Sequence, residues 1–279
     1  MKAPDATCLL ERWLDFILET ASERTYELYS QVARELVSSV GHPEKWKVGS
    51  VAKYLDWLRE KGNSDRSRHT KLQIVRSFMR WAGESLPKGV IESVPPNIRF
   101  KASPPRVAKP TDIEELIAGL DDYPTLRLAV LLMADAGLRE SEVRGLRWGD
   151  VDDGVMTIEG KGSKTRKVPA VTPRLFEALR DGLDSHKPSE YIVPDSSGGQ
   201  LVRGTIGRQL KAACRRLGLT AMNPHSFRHG FAIRAVLSGI PAPLIQRALG
   251  HSSLAVTDIY LRGLDGDVQS LKEGFAGFK

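Results

Sequence analysis

Apolar residues recur at helical spacing through the first part of the chain. Leu9, Leu10, Trp13, Leu14, Ile17 and Leu18 form one stripe, and Tyr26, Tyr29, Val32, Ala33, Leu36 and Val37 form a second behind Ser22. Such stripes predict amphipathic helices, and Ser22 is a natural N-cap. A polar break with Pro43 follows, then a third stripe of Val51, Tyr54, Leu55 and Leu58 that Gly62 ends. Ser64 or Ser67 opens a fourth helix carrying Leu72, Val75, Phe78, Met79 and Trp81. Residues 6–84 thus read as a four-helix unit whose Trp and Tyr residues sit at core spacing, for packing and not for base stacking.

The pattern then changes. Residues 85–108 contain Pro87, Pro95, Pro96, Pro104 and Pro105 with few periodic apolar positions, which predicts a semi-extended linker. From 109 onward helical periodicity returns. Thr111 and Glu114 have capping-box spacing, a buried helix over 126–136 is closed by Gly137, and a new helix starts at Arg139. Residues 155–171 alternate around Gly160 and Gly162 and predict a β-hairpin with Lys161 and Lys164 near its tip. Thr172-Pro173 opens another helix, 191–193 suggests a short strand, and 205–217 is a helix striped by Ile206, Leu210, Ala213 and Leu217. The fold class expected is mainly α with a small antiparallel β-sheet.

Charge adds a partner to this picture. The 279 residues carry a formal net charge of +7, a modest bias toward a polyanion. The fourth helix concentrates Arg66, Arg68, His69, Lys71, Arg76 and Arg80 with few acids between them, and the 205–217 helix carries Arg208, Lys211, Arg215 and Arg216 beside Arg203. Solvated faces would look the same, but so would surfaces that track phosphates. Cys8 and Cys214 stand far apart with no CxxC, which points away from a disulfide framework or zinc site and toward a reducing cytoplasm. No apolar run reaches the roughly 18 residues of a membrane helix. Glu11, Arg12 and Asp15 interrupt the first apolar stretch as no signal peptide would.

The candidate chemistry is densest near the C-terminus. His225 and Arg228 lie three residues apart, on one face of a helix, followed by His251 just after Gly250 and by Tyr260. Arg139 has Glu142 three residues on, a pairing that by itself would be an ordinary surface ion pair. His225 and His229 have i, i+4 spacing, but no HExxH glutamate accompanies them and no third ligand is evident, so a metal is not expected. A Ser-His-Asp reading lacks its GxSxG turn. Two cations and further donors aimed at one spot suit a phosphodiester.

The segments AGLRESEVRGLRW, EGKGSKTRKVP, HSFRHGFA and LGHSSLAVTDIY, in this order over about 150 residues, resemble the tyrosine recombinases, the lambda-integrase, Cre and Xer-type family. The helical first part is similar, through SERTYELY, to that family's core-binding (SAM-like) DNA-binding domain. The resemblance implies a helical DNA-binding domain over 1–84, a linker over 85–108 and a catalytic domain over 109–279. It implies catalytic residues Arg139, Lys161, His225, Arg228, His251 and Tyr260, with Glu142 holding Arg139 from behind. Tyr260 is then the nucleophile that forms a 3′-phosphotyrosyl link, His225 the base, and His251 a donor to the phosphate or a scaffold. Lys161, between the two glycines of GKG, is the general acid for the leaving 5′-oxygen. Arg139 and Arg228 would fork around the non-bridging oxygens.

No cofactor is expected, because the covalent link conserves the energy needed for resealing. The implied partner is double-stranded DNA, gripped by a homo-tetramer or a hetero-tetramer with a paralogue through a C-terminal segment, 265–275. Arg66, Arg68, Lys71, Arg76, Lys164, Arg208, Lys211 and Arg215 are the expected DNA-binding residues. A topoisomerase of type IB and a catalytically idle DNA-binding relative are the alternatives. Every chemical position being filled speaks against the idle one. The compact size points to a Xer-like or simple integrase system.

Overall fold

The computed structural model describes residues 9–100, 107–160 and 165–250. The chain divides into two compact units, residues 1–103 and 104–279.

In the first unit the predicted stripes form α1 (Leu9–Thr20), α2 (Glu23–Val40), α3 (Ser50–Glu60) and α4 (Asp65–Ala82). Ser22 and Ser64 cap α2 and α4, their hydroxyls accepting from the Thr25 and Ser67 amides. Trp13, Val32, Leu36, Tyr54, Leu58, Leu72, Val75 and Phe78 meet in one core. The Trp13 ring packs edge-on against Phe78 at 5.2 Å and stacks on Tyr29 at 5.1 Å. The aromatics serve packing.

Two expectations for this unit are corrected. The semi-extended linker is shorter than the proline content suggests. Leu86 and Val90 are buried in the core of the helices, Val94 and Ile98 pack against it, and the His69 ring donates to the Ile98 carbonyl at 3.1 Å. Prolines prevent a helix here, yet apolar residues every fourth position still find a core.

Arg68 and Lys71, expected on a DNA-facing surface, are buried. Lys71 donates to Glu35 at 2.9 Å and to Asn63 at 3.0 Å, and Arg68 pairs with Asp65. Both occupy the same i, i+3, i+4 stripe as Leu72, Val75 and Phe78, so the helix turns them inward. Arg76 is half-buried and bonds the Asn97 side chain and the Pro95 carbonyl, whereas Arg66 and Arg80 are exposed.

The second unit is built around α6 (Pro124–Asp135), whose apolar residues from Leu126 to Ala134 are mostly buried. Around it stand α5 (Pro110–Ala118), α7 (Glu140–Gly145), α8 (Pro173–Leu183), α9 (Thr205–Arg216), α10 (Pro224–Leu237) and α11 (Ala242–Leu249). Strands β1 (Val151–Asp152), β2 (Val155–Glu159) and β3 (Thr165–Pro169) form an antiparallel sheet in the order β1-β2-β3. The register pairs Met156 with Val168 and Ile158 with Arg166, which puts Arg166 on the inward face of the hairpin.

The buried Asp135 accepts from Arg174 at 2.6 and 2.9 Å and from the Thr172 hydroxyl at 2.9 Å, tying α6 to the start of α8. The Thr111/Glu114 capping box does not form. Pro110 occupies the first turn of α5, which makes Lys109 the N-cap. The strand expected at 191–193 reduces to one bridge between Tyr191 and Arg147, whose guanidinium lies 4.0 Å over the Tyr191 ring.

Candidate active site

The site forms where α11 ends. Gly250 caps that helix in the left-handed conformation, with φ +61°. A helix C-terminus leaves its last carbonyls without intrahelical donors and carries a partial negative charge, so cations are stabilised there. Three consecutive carbonyls are each met by a different arginine. Arg166 Nε donates to Ala248 at 2.8 Å, Arg228 Nη2 donates to Leu249, and Arg139 Nη2 donates to Gly250 at 2.9 Å. These arginines come from β3, α10 and the N-cap of α7. One helix end gathers side chains distant in sequence.

Glu142 holds the arginines from the opposite side. Its Oε1 accepts from Arg139 Nη1 at 2.7 Å and from Arg166 Nη1 at 2.9 Å. Its Oε2 accepts from the Arg139 backbone amide at 2.9 Å and from Arg166 Nη2 at 2.8 Å, and lies 4.0 Å from Arg228 Nη1. The side chain is 6% exposed. Burial alone would push its carboxyl up, but hydrogen bonds from Arg166 and Arg139, with the Arg166 charge, outweigh burial and hold it below its ordinary value.

Arg228 is 5% exposed at its side chain and also donates to the Gly137 carbonyl at 2.7 Å. Arg139 is 35% exposed. Among the described residues Glu142 is thus shared by three guanidinium groups, and the most open of the three is Arg139. Guanidinium groups held in fixed positions around one carboxylate suit an anion.

Asn223 caps α10, accepting from the Ser226 amide at 3.1 Å, and Pro224 takes the first turn. His225 is exposed at this helix start, and His229 lies one turn on with the rings 6.5 Å apart. Burial, then the neighbouring His225 and Arg228, holds the His229 pKa below its ordinary value. Among the described residues no group of three or more His, Cys, Asp or Glu could hold a metal ion. The structure thus brings together Arg139, Glu142 and Arg228 and sets His225 on the same helix as Arg228. Lys161, Lys164, His251, Tyr260 and the 265–275 segment lie outside the described residues.

Sequence reasoning passed over Arg166. The signal was available in the strand alternation, where Arg166 and Val168 share the inward phase of TRKVP. A charge at a core-phase position needs a buried partner. Arg203, just before α9, and Arg208, Lys211, Arg215 and Arg216 on it are all exposed. Arg216 caps the Tyr123 ring at 4.9 Å and donates to the Gly119 carbonyl.

Residues 106–266 match the phage integrase family. The chain belongs to that family. Over 90% of its length it is 31% identical to the tyrosine recombinase XerA of Thermococcus onnurineus, covering 88% of that protein. It is 32% identical to the tyrosine recombinase XerD of Pseudomonas aeruginosa, over 76% of each chain. The fold is similar to that of a lambda integrase(75-356) dimer bound to a COC′ core site, with TM-score 0.75, 19% identity, and coverage of 90% and 93%. It is also similar to the XerA recombinase crystal structure, with TM-score 0.56, 22% identity, and coverage of 97% and 99%. The chain is a tyrosine-type site-specific DNA recombinase, and the topoisomerase and idle-relative readings are not favoured. The recombinase has no helix among its described residues that is long and apolar enough to cross a membrane.

Proposed function

We propose that this recombinase cleaves a DNA strand by attack of the Tyr260 hydroxyl on a phosphodiester held by Arg139 and Arg228. The observation that carries this reading is the convergence of both arginines on Leu249 and Gly250, whose carbonyls directly precede His251. In-line displacement builds charge on the non-bridging oxygens, and rigidly held guanidinium groups stabilise that charge without reorganising. Tyr260 forms the 3′-phosphotyrosyl link while the 5′-oxygen leaves. His225 receives the phenolic proton, Lys161 protonates the leaving oxygen, and His251 donates to the phosphate or supports the arginines. Reversal of the same displacement by a 5′-hydroxyl reseals the strand, so the drawn steps use protein groups alone.

The partner is double-stranded DNA, on which copies of the chain assemble as a tetramer. The exposed cations of α9, with Arg66, Arg76 and Lys164, approach the duplex backbone. The 265–275 segment joins neighbouring protomers, and the cytoplasm is the compartment. Xer-type relatives over most of the chain support the assignment to a Xer-like or simple integrase system.

The test is covalent trapping. Wild type and Tyr260→Phe are incubated in EDTA with nicked suicide duplexes carrying candidate sites, then run on a denaturing gel. The expected result is an adduct with wild type only. An adduct that persists in Tyr260→Phe, or that requires a divalent metal, overturns the mechanism.

A further inference from the structure

We propose that Arg166 is a positioning residue for the cleavage step, acting by keeping Glu142 from sequestering Arg139; the proposal rests on the phosphate-binding role given to Arg139 above. Arg166 grips both oxygens of Glu142 in a fork, through Nη1 at 2.9 Å and Nη2 at 2.8 Å, and its remaining Nε donates to Ala248 at 2.8 Å. Its side chain is 11% exposed.

The geometry leaves Glu142 one way to hold Arg139. Oε1 takes a single Nη1 hydrogen and Oε2 takes the backbone amide. A carboxylate beside one arginine ordinarily closes a two-point fork with its guanidinium. Here Arg166 already occupies that fork, so the rest of the Arg139 guanidinium is not drawn onto Glu142. Gly250 fits the same arrangement. A Cβ there would stand 3.2 Å from the Arg166 guanidinium carbon, Nε and Nη1, so glycine leaves the space that Arg166 fills.

Arg166 also joins three parts of the site. It lies on β3 five residues after Lys161, contacts the carboxylate that caps α7, and holds the end of α11 just before His251. Lysine cannot reproduce this. It has no planar fork and cannot bond both Glu142 oxygens and Ala248 together.

The test separates binding from chemistry. Arg166→Met and Arg166→Lys are compared with wild type for non-covalent DNA affinity, for single-turnover adduct formation on the suicide duplex at saturating protein, and for thermal unfolding. The expected result is adduct formation about 100-fold slower in Arg166→Met, on the scale of a misplaced catalytic group. Affinity should stay within about threefold, because Arg139 remains cationic. Arg166→Lys should recover about tenfold of the lost rate, because a cation still occupies part of Glu142.

Folded variants that cleave at the wild-type rate overturn the proposal. So does a loss of rate matched by an equal loss of affinity, which would mark Arg166 as a general structural or DNA-contacting residue. Should Arg166→Met fail to fold, Arg166→Lys decides by the same criteria. A wild type that forms no adduct overturns the Tyr260 mechanism itself, and this proposal falls with it.

Discussion

Each unit of the recombinase contains a carboxylate knotted to cations, and the two knots are built to different ends. In the first unit Glu35 accepts from Lys71, Gln31 and the Tyr54 hydroxyl, and Lys71 also reaches Asn63. One negative charge meets one positive charge and the set closes on itself. Burial, then the charge of Glu35 beside it, pushes the Tyr54 hydroxyl far up, so it stays a neutral donor. In the second unit Glu142 is shared by Arg139, Arg166 and Arg228. The first knot fixes α2, α3 and α4 to one another. The second gathers three guanidinium groups around a helix end, with Arg139 the most exposed of them. The number of cations sharing each carboxylate, more than burial, distinguishes the two clusters.

Removing one charged partner from each cluster breaks the comparison most sharply. Glu142→Ala takes from Arg139, Arg166 and Arg228 the carboxylate they share. The expected cost is about 3–5 kcal/mol of stability, with cleavage lower by about 10²–10³, the scale for losing positioned transition-state donors. Thermal unfolding and adduct formation read the two effects. Lys71→Met leaves Glu35 with its Tyr54 and Gln31 donors, so about 1–3 kcal/mol is expected. Its DNA affinity should keep an unchanged salt dependence. A salt slope shallower by about one would show Lys71 to be a phosphate contact after all.

That Lys71 result bears on what the sequence could tell. The helical stripes, the Ser22 cap and the hairpin were legible because each rests on local periodicity or on one capping residue, while of Ser64 and Ser67 the fold uses Ser64. Counting charges on α4 misled, since charge says nothing about direction; the period of Arg68, Lys71, Leu72 and Val75 carried the direction. The 86–98 segment was misjudged for a related reason. Its prolines announce the absence of a helix and are silent about whether Leu86 and Val90 reach a core. Arg139 and Arg228 were legible as motif residues, but their meeting through Leu249 and Gly250 is a tertiary fact across 111 and 21 residues of chain. Arg166 needed both kinds of information, the strand phase and the buried carboxylate it finds.

A smaller effect on stability comes from the exposed basic face of α9. Arg208→Ala, Lys211→Ala and Arg215→Ala remove exposed side chains with no buried partner among the described residues, so each should change stability by no more than about 0.5 kcal/mol. If all three contact phosphates, the combined variant should show a salt slope shallower by about 0.9 per lost contact. Adduct formation at saturating protein should be unaffected. An unchanged slope would assign this face to solvent, and a lower saturating rate would place it closer to the chemistry than proposed.

The smallest effect separates the two titrating groups of the second site. The Glu142 carboxyl is held below its ordinary value, so its contribution is complete above the unfolded-state pKa and is lost as pH falls through the lower folded value. His229 is also held below its ordinary value of 6.5, and there the unfolded chain takes up its proton first. The folded state then loses stability as pH drops below about 6.5, a range in which Glu142 stays ionised. Hydrogen exchange followed peptide by peptide should therefore show α10 losing protection between pH 6.5 and 5 while α7 keeps it, with α7 loosening only under more acid conditions. His229→Gln should flatten the first phase and leave the second in place. If α7 and α10 lose protection together at the higher pH, the arginine cluster depends on the neutral His229 ring, and Glu142 is not its independent anchor.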